Sequence, residues 1–246
     1  MIKVFVQTPI SDDFCQLADG LGLTLTDNRE LSDFILFEDN GLIALSPSDK
    51  SQGGAIYCDF LSSEFQRYLN SVSRKSLIAK ACGLKNGRTP TILDISTGLG
   101  KDAISLANLG AKVTMVETNP YIYLMLYAGV RALKQSKVSF SSEIELLSCQ
   151  DAMELLAKNI EAYDVVYFDP MFPERKKSAK VKKAMQYFHQ VVGEDHNNPC
   201  DIFSLASKQA NERLVIKRPK GSGYYAEKKP NYSLESKVIR FDIYLK

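Results

Sequence analysis

Asp164–Phe172, DVVYFDPMF, runs from four strand-forming residues into an acid, a proline and an aromatic. Val165, Val166, Tyr167 and Phe168 favour a buried strand, and a proline at 170 cannot continue one. Asp169 and Pro170 therefore fall at a strand's carboxyl end, where open α/β sheets place their ligands. A carboxylate there can accept hydrogen bonds from an amino group, and the Pro170 carbonyl offers a second acceptor. Phe172 offers a face on which a flat ring can stack. Asp-Pro also occurs where a strand simply ends in a turn, so a second motif must carry the functional reading.

That motif lies upstream, in Asp94-Ile-Ser-Thr-Gly98-Leu-Gly100-Lys101-Asp102. Glycines let the backbone approach a ligand closely, and a helix start presents unpaired N–H donors. Glu117 ends the next apolar run about twenty residues on, where a carboxylate can hold both hydroxyls of a ribose. Gly98-x-Gly100-x-x-Ala103 also satisfies a relaxed dinucleotide fingerprint, so a nicotinamide or flavin cofactor stays open at this point. Asp94 weighs the other way. Negative charge beside the cradle disfavours a pyrophosphate and suits a sulfonium amino acid, S-adenosylmethionine.

The elements that must position these residues alternate. Ile92–Ile95, Val113–Val116, Glu145–Leu147, Asp164–Phe168 and Arg213–Lys217 read as buried strands. Lys101–Leu109, Tyr121–Leu133 and Ala152–Asn159 read as the helices between them, and a long helical region precedes the last strand. Such alternation predicts right-handed βαβ crossovers and a mostly parallel sheet with helices on both faces. The tail Lys237–Leu245 alternates and is expected to pair at the far side of that sheet. Tyr121, Tyr123 and Tyr127 are assigned to helix packing.

Residues 1–58 read as a small mixed α/β unit. Ile2–Val6 alternates like a strand, and Ser11 is placed to cap a short helix that stops at Gly20–Gly22. Asn40-Gly41 between Phe34–Phe37 and Leu42–Leu45 predicts a hairpin. A helical stretch over 62–82 then leads to Gly83 and Lys85-Asn86-Gly87-Arg88. This predicts a boundary at residue 88, with a subdomain over 1–88 and a second domain over 89–246.

Five scattered cysteines without a CxxC pair suit reduced thiols in a cytoplasm, and with only two histidines they argue against a metal site. No apolar run reaches the length of a membrane span. Charge is uneven: residues 171–246 hold 16 Lys and Arg against 8 Asp and Glu, beginning directly after DPMF. A polyanionic partner docking beside the site accounts for this, as does a solvated lysine-rich helix.

Together, Asp94–Asp102, Glu117 and DPMF resemble the class I methyltransferases that act on exocyclic amino groups, with Met171 at the position of their second proline. Asp169-Pro-Met-Phe-Pro173, Lys177-Ser-Ala-x-Val-Lys-Lys183, Val192-Gly193, Val215-x-Lys-Arg-Pro219 and Arg240-Phe-Asp-Ile-Tyr244 narrow this further. These blocks resemble ribosomal RNA small subunit methyltransferase J, over most of the chain. The family's glycine cluster before Arg74 is replaced by Ser71-Val72-Ser73. The resemblance implies a class I, Rossmann-like fold, S-adenosylmethionine as cofactor without a metal, and transfer to N2 of a guanine in bacterial 16S rRNA. It also implies cofactor contacts at Lys101, Asp102, Glu117, Thr118, Gln150, Asp151 and Asp169. Asp151 equally suits the N-cap of the helix that follows it.

On that reading Asp169 and the Pro170 carbonyl accept the amino hydrogens, and Phe172 stacks the base. Arg175, Lys176, Lys177, Lys180, Lys182 and Lys183 become phosphate contacts, extended by Lys217, Arg218 and Lys220. Three readings stay open: methylation of an adenine or of a protein glutamine, a dinucleotide oxidoreductase, and a non-catalytic RNA-binding module.

Overall fold

In the computed structural model, the described residues are 3–7, 9–23, 25, 26, 28–138, 142–158, 162–170, 191 and 197–246. Among them the strands are β1 Val4–Gln7, β2 Leu25–Thr26, β3 Phe34–Asp39, β4 Leu42–Pro47, β5 Ile56–Tyr57, β6 Thr91–Asp94, β7 Lys112–Met115, β8 Ile144–Leu146, β9 Tyr163–Phe168, β10 Ala210–Pro219, β11 Tyr232–Glu235 and β12 Ile239–Leu245. The helices are α1 Asp12–Gly20, α2 Ser63–Ser71, α3 Leu77–Ala81, α4 Lys101–Asn108, α5 Pro120–Gln135, α6 Ala152–Ala157 and α7 Pro199–Gln209. They gather in two compact units.

The first unit comprises Met1–Phe65 and Asn119–Lys137 with Val191. Its sheet has the order β2-β1-β3-β4-β5. The predicted hairpin is present: β3 and β4 pair antiparallel from Phe34↔Pro47 to Asp39↔Leu42, and Asn40 and Gly41 take φ of 51° and 77°. Positive φ at both turn residues matches the right-handed twist of the strands. Ser11 precedes α1 as predicted, but its side chain makes no cap bond; its backbone N–H instead donates to Glu38 Oε2 at 2.7 Å. Asn119 caps α5 by accepting from Tyr121 and Ile122 N–H, and Pro120 fills the first turn, where no N–H is needed. Helix α5 lies on β4, with Gly129 against the backbone of Cys58. Tyr121 and Tyr123 are buried, and Tyr127 meets the edge of Phe14, so all three serve packing.

The second unit comprises Gln66–Thr118, Val138–Met171 and Asp195–Lys246. Its sheet has the order β11-β12-β10-β9-β6-β7-β8. Strands β10, β9, β6, β7 and β8 run parallel, and β12 returns antiparallel to β10. From β6 the chain steps outward through β7 and β8, then comes back to β9 on the other side. The carboxyl ends of β6 and β9 thus flank the point where the winding reverses, which is where such sheets open a crevice. Leu93, Val166, Phe168, Leu214 and Ile216 fill one face of the sheet against Leu155, Leu156, Ile202 and Ala206 of α6 and α7.

The two compact units divide the chain between Phe65 and Gln66, and α5 belongs to the first unit. Arg74 donates to the carbonyls of Arg88 and Leu109, both at 2.7 Å, and Tyr68 lies under Lys101. The helical stretch over 62–82 is two helices, broken at 72–76. The edge strand β11 was not predicted; its run Tyr-Ser-Leu-Glu is short and polar.

Candidate active site

The glycine loop leaves β6 at Asp94, whose side chain is 1% exposed and accepts from Ser96 N–H at 3.1 Å. Gly98 and Gly100 take φ of 56° and 77°, a region open to glycine at no steric cost, and Gly100 is the N-cap of α4. Thr97 ties the loop to the next strand: its N–H donates to the Val116 carbonyl, and its hydroxyl accepts from Val116 N–H, both at 3.1 Å. That tie brings the buried Glu117 to the loop, and Gly98 N–H donates to Glu117 Oε2 at 2.8 Å.

Of the remaining cofactor candidates, Thr118 follows Glu117 in the chain and Gln150 bonds to its backbone. Gln150 N–H donates to the Glu117 carbonyl at 3.2 Å, and Cys149 Sγ lies 3.4 Å from the Thr118 carbonyl. Asp151 Oδ1 accepts from Met153 and Glu154 N–H, so Asp151 is the N-cap of α6. Lys101 Nζ stands 4.0 Å from the ring centre of Tyr68, a cation–π contact at the start of α4.

Asp169 is fastened from two sides. Its N–H donates to Ser96 Oγ at 2.7 Å, which joins the DPMF strand end to the glycine loop. Lys217 Nζ donates to Asp169 Oδ2 and to Asp102 Oδ2, each at 2.8 Å. Tyr167 adds its hydroxyl to the same Asp102 oxygen at 2.6 Å. Pro170 is buried beside them. Lys217 was expected as a phosphate contact; here its ammonium lies between two carboxylates. The signal in the sequence was a lysine closing the apolar run Leu214-Val215-Ile216. Arg218 donates to the Gly223 carbonyl, at 3.2 and 2.8 Å, and stands 5.7 Å from the Tyr225 ring, so it braces the turn after β10. Phe172, Arg175, Lys176, Lys177, Lys180, Lys182 and Lys183 lie outside the described residues.

Four carboxylates thus share this small volume. Burial holds the Asp94 carboxyl well above the usual range, opposed by Ser96 N–H and reinforced by Asp102, Asp169 and Glu117. Desolvation also raises Asp169, while Lys217 pulls it back and Asp102 adds to the rise. Burial pushes the Tyr167 phenol up, with Asp102 and Asp169 adding to the effect. Lys217 is held charged, because Asp102 and Asp169 outweigh its own desolvation. This donor set fits a ligand that carries positive charge and a ribose, as S-adenosylmethionine does through its sulfonium and amino groups. A pyrophosphate placed on the same loop would face Asp94, Asp102 and Asp169. Among the described residues no group of three or more His, Cys, Asp or Glu is arranged to hold a metal ion.

The family model described as "Putative SAM-dependent methyltransferase" matches residues 16–246. Ribosomal RNA small subunit methyltransferase J from Coxiella burnetii is 40% identical over 226 residues, 92% of this chain and 88% of its own. The protein of the same name from Desulfotalea psychrophila is 34% identical over 236 residues, 94% of this chain and 90% of its own. Among solved structures, the SAM-dependent methyltransferase from Neisseria gonorrhoeae superposes with a TM-score of 0.74 at 25% identity, over 99% of this chain and 95% of that one.

Proposed function

We propose that this chain, which belongs to the ribosomal RNA small subunit methyltransferase J family, methylates the exocyclic N2 amino group of a guanine in 16S rRNA. It is an S-adenosylmethionine-dependent rRNA methyltransferase of the class I, Rossmann-like fold. One observation supports the reading of the site: Asp169 N–H bonds to Ser96 Oγ, so the strand end proposed to hold the amino group abuts the loop proposed to hold the cofactor.

Bound S-adenosylmethionine supplies an electrophilic methyl group. Glu117 and the loop from Gly98 to Asp102 would hold it, with Asp94 lending negative charge. The N2 lone pair of guanine is delocalised into the ring and is a poor nucleophile. Hydrogen bonds from the amino group to Asp169 and to the Pro170 carbonyl localise that pair and aim it, while Phe172 stacks the base. The nitrogen, once methylated, sheds its proton readily to water or to Asp169, so no strong base is required. A base in structured RNA must first leave its stack, and the run from Arg175 to Lys183 docks the phosphates on either side. An rRNA substrate supports a cytoplasmic location.

The test is transfer from labelled S-adenosylmethionine to undermodified 16S rRNA, free and in assembled small subunits, followed by nucleoside analysis. Label in N2-methylguanosine, lost with Asp169→Ala, is the expected result. Label in N6-methyladenosine, or in protein, would overturn the substrate and leave the cofactor site standing.

A further inference from the structure

We propose that Lys217 is a positioning residue for methyl transfer: its ammonium fixes one oxygen of Asp169 so that the other faces the substrate amino group. The same ammonium locks Asp169 to Asp102 at the start of α4. The proposal rests on the role given to Asp169 above.

Strand pairing puts the lysine there. In the parallel β9–β10 ladder Val215 pairs with Tyr167 and Ile216 with Phe168, so Lys217 arrives beside Asp169 as β9 ends. The residues before it, Leu214 to Ile216, are at most 1% exposed and anchor the strand in the sheet, which limits where the lysine stem can go. An ammonium has three N–H donors. Two are committed here, to Asp102 Oδ2 and Asp169 Oδ2, each at 2.8 Å. Asp169 is then held by its N–H on Ser96 and by Oδ2 on Lys217, and Oδ1 receives no hydrogen bond from the described residues. An acceptor held at two points is preorganised for a donor, which costs no rearrangement at the moment of reaction.

The charge balance assigns the lysine a second duty. Burial and the Asp102 carboxylate from α4 both disfavour negative charge on Asp169, with the Asp94 carboxyl and the Tyr167 phenol close by. Lys217 is the cation that opposes them. Without it, Asp169 would take up a proton at higher pH and lose acceptor capacity. A lysine that served as a phosphate contact would keep its ammonium turned to solvent; this one has a side chain 23% exposed and both carboxylates in contact.

The test compares full-length wild type, Lys217→Met and Lys217→Arg. Three quantities are read: the pH dependence of methyl transfer to undermodified small subunits, the salt dependence of RNA binding, and the carboxyl titration of Asp169. The last comes from 13C-labelled aspartate, assigned by the signal missing in Asp169→Asn. Lys217→Met is expected to lower kcat about a hundredfold and to move both the acidic limb of the rate profile and the Asp169 titration to higher pH. RNA affinity and its salt slope should hold, and Lys217→Arg should restore most of the profile. An unmoved titration, or a loss confined to RNA affinity with a flatter salt slope, would overturn the proposal. So would a loss of rate that arginine does not relieve. Failure of the wild type to methylate any guanine would reject the substrate alone, because the titration reads the Lys217–Asp169 pair without RNA.

Discussion

Gly98 donates its backbone N–H to Oε2 of Glu117 at 2.8 Å. The glycine loop and the acid that follows β7 therefore form one hydrogen-bonded unit, although they belong to different βα turns. The bond does two things at once. It satisfies an N–H in a loop whose left-handed backbone leaves it without a helical partner, and it fixes the orientation of the carboxylate proposed to meet the ribose.

Glu117→Ala removes both. The dissociation constant for S-adenosylmethionine should rise roughly 10- to 100-fold, equivalent to about 1.4–2.8 kcal/mol, with a far smaller change in kcat at saturating cofactor. Calorimetric titration alongside steady-state kinetics checks this. A fall in kcat with the affinity intact would place Glu117 elsewhere in the reaction.

Asp169→Ala should lower methyl transfer about a thousandfold while cofactor affinity falls much less, since the task proposed for the residue lies on the substrate side. The pH profile of the wild type carries a related signature. Desolvation raises the Asp169 carboxyl above its ordinary range, so transfer should fail on the acid side at a higher pH than a solvent-exposed aspartate would give. Equal loss of cofactor binding and turnover would remove this division of labour.

Asp94→Asn tests the buried charge. A carboxyl raised in the folded state contributes stability that is complete below its unfolded pKa and is lost as pH rises through the folded value. Near neutral pH the ligand-free protein is thus less stable than it would be without that acid. The asparagine, which keeps an acceptor for Ser96 N–H, should raise the thermal midpoint by several degrees at pH 7 and flatten its pH dependence. Cofactor affinity should fall together with that gain. Thermal melts between pH 5 and 8, without cofactor, decide the point.

Two glycines separate conformational from steric need. A methyl group on Gly98 would meet nothing within 4 Å, so Gly98→Ala should cost only the strain of φ 56°, about 1–2 kcal/mol. On Gly129 it would overlap the Cys58 carbonyl and stand 2.8 Å from Cys58 Cβ. Backbone on both sides limits the relief, and Gly129→Ala should cost about 3 kcal/mol or more in denaturant midpoints. Equal costs would contradict the close approach of α5.

Replacing Lys177, Lys180, Lys182 and Lys183 with glutamine should weaken RNA binding and reduce the salt slope by about one for each phosphate contact removed. Transfer at saturating RNA should survive. An unchanged slope would return the run to a solvated surface.

Much of this was legible in the chain itself, because it is local. Strand-end acids, glycines before a helix and the Asn40-Gly41 turn depend on neighbours a few residues away, and Asp94, Gly98, Gly100, Glu117 and Asp169 each announced a place at the end of a parallel strand. The Asp151 N-cap was equally visible, since its partners are Met153 and Glu154.

The tertiary structure alone decided what depends on pairing between distant segments. Arg74 reaches Leu109 across 35 positions and ties the segment before residue 88 to the one after it. Lys217 lies 115 positions from Asp102 and 48 from Asp169, and only the β9–β10 register turns a basic residue after an apolar run into the bridge between them. The raised carboxyls of Asp94 and Asp169 have the same origin. A side chain's type is written in the sequence, but its desolvation and its charged neighbours exist only once the sheet has closed over it.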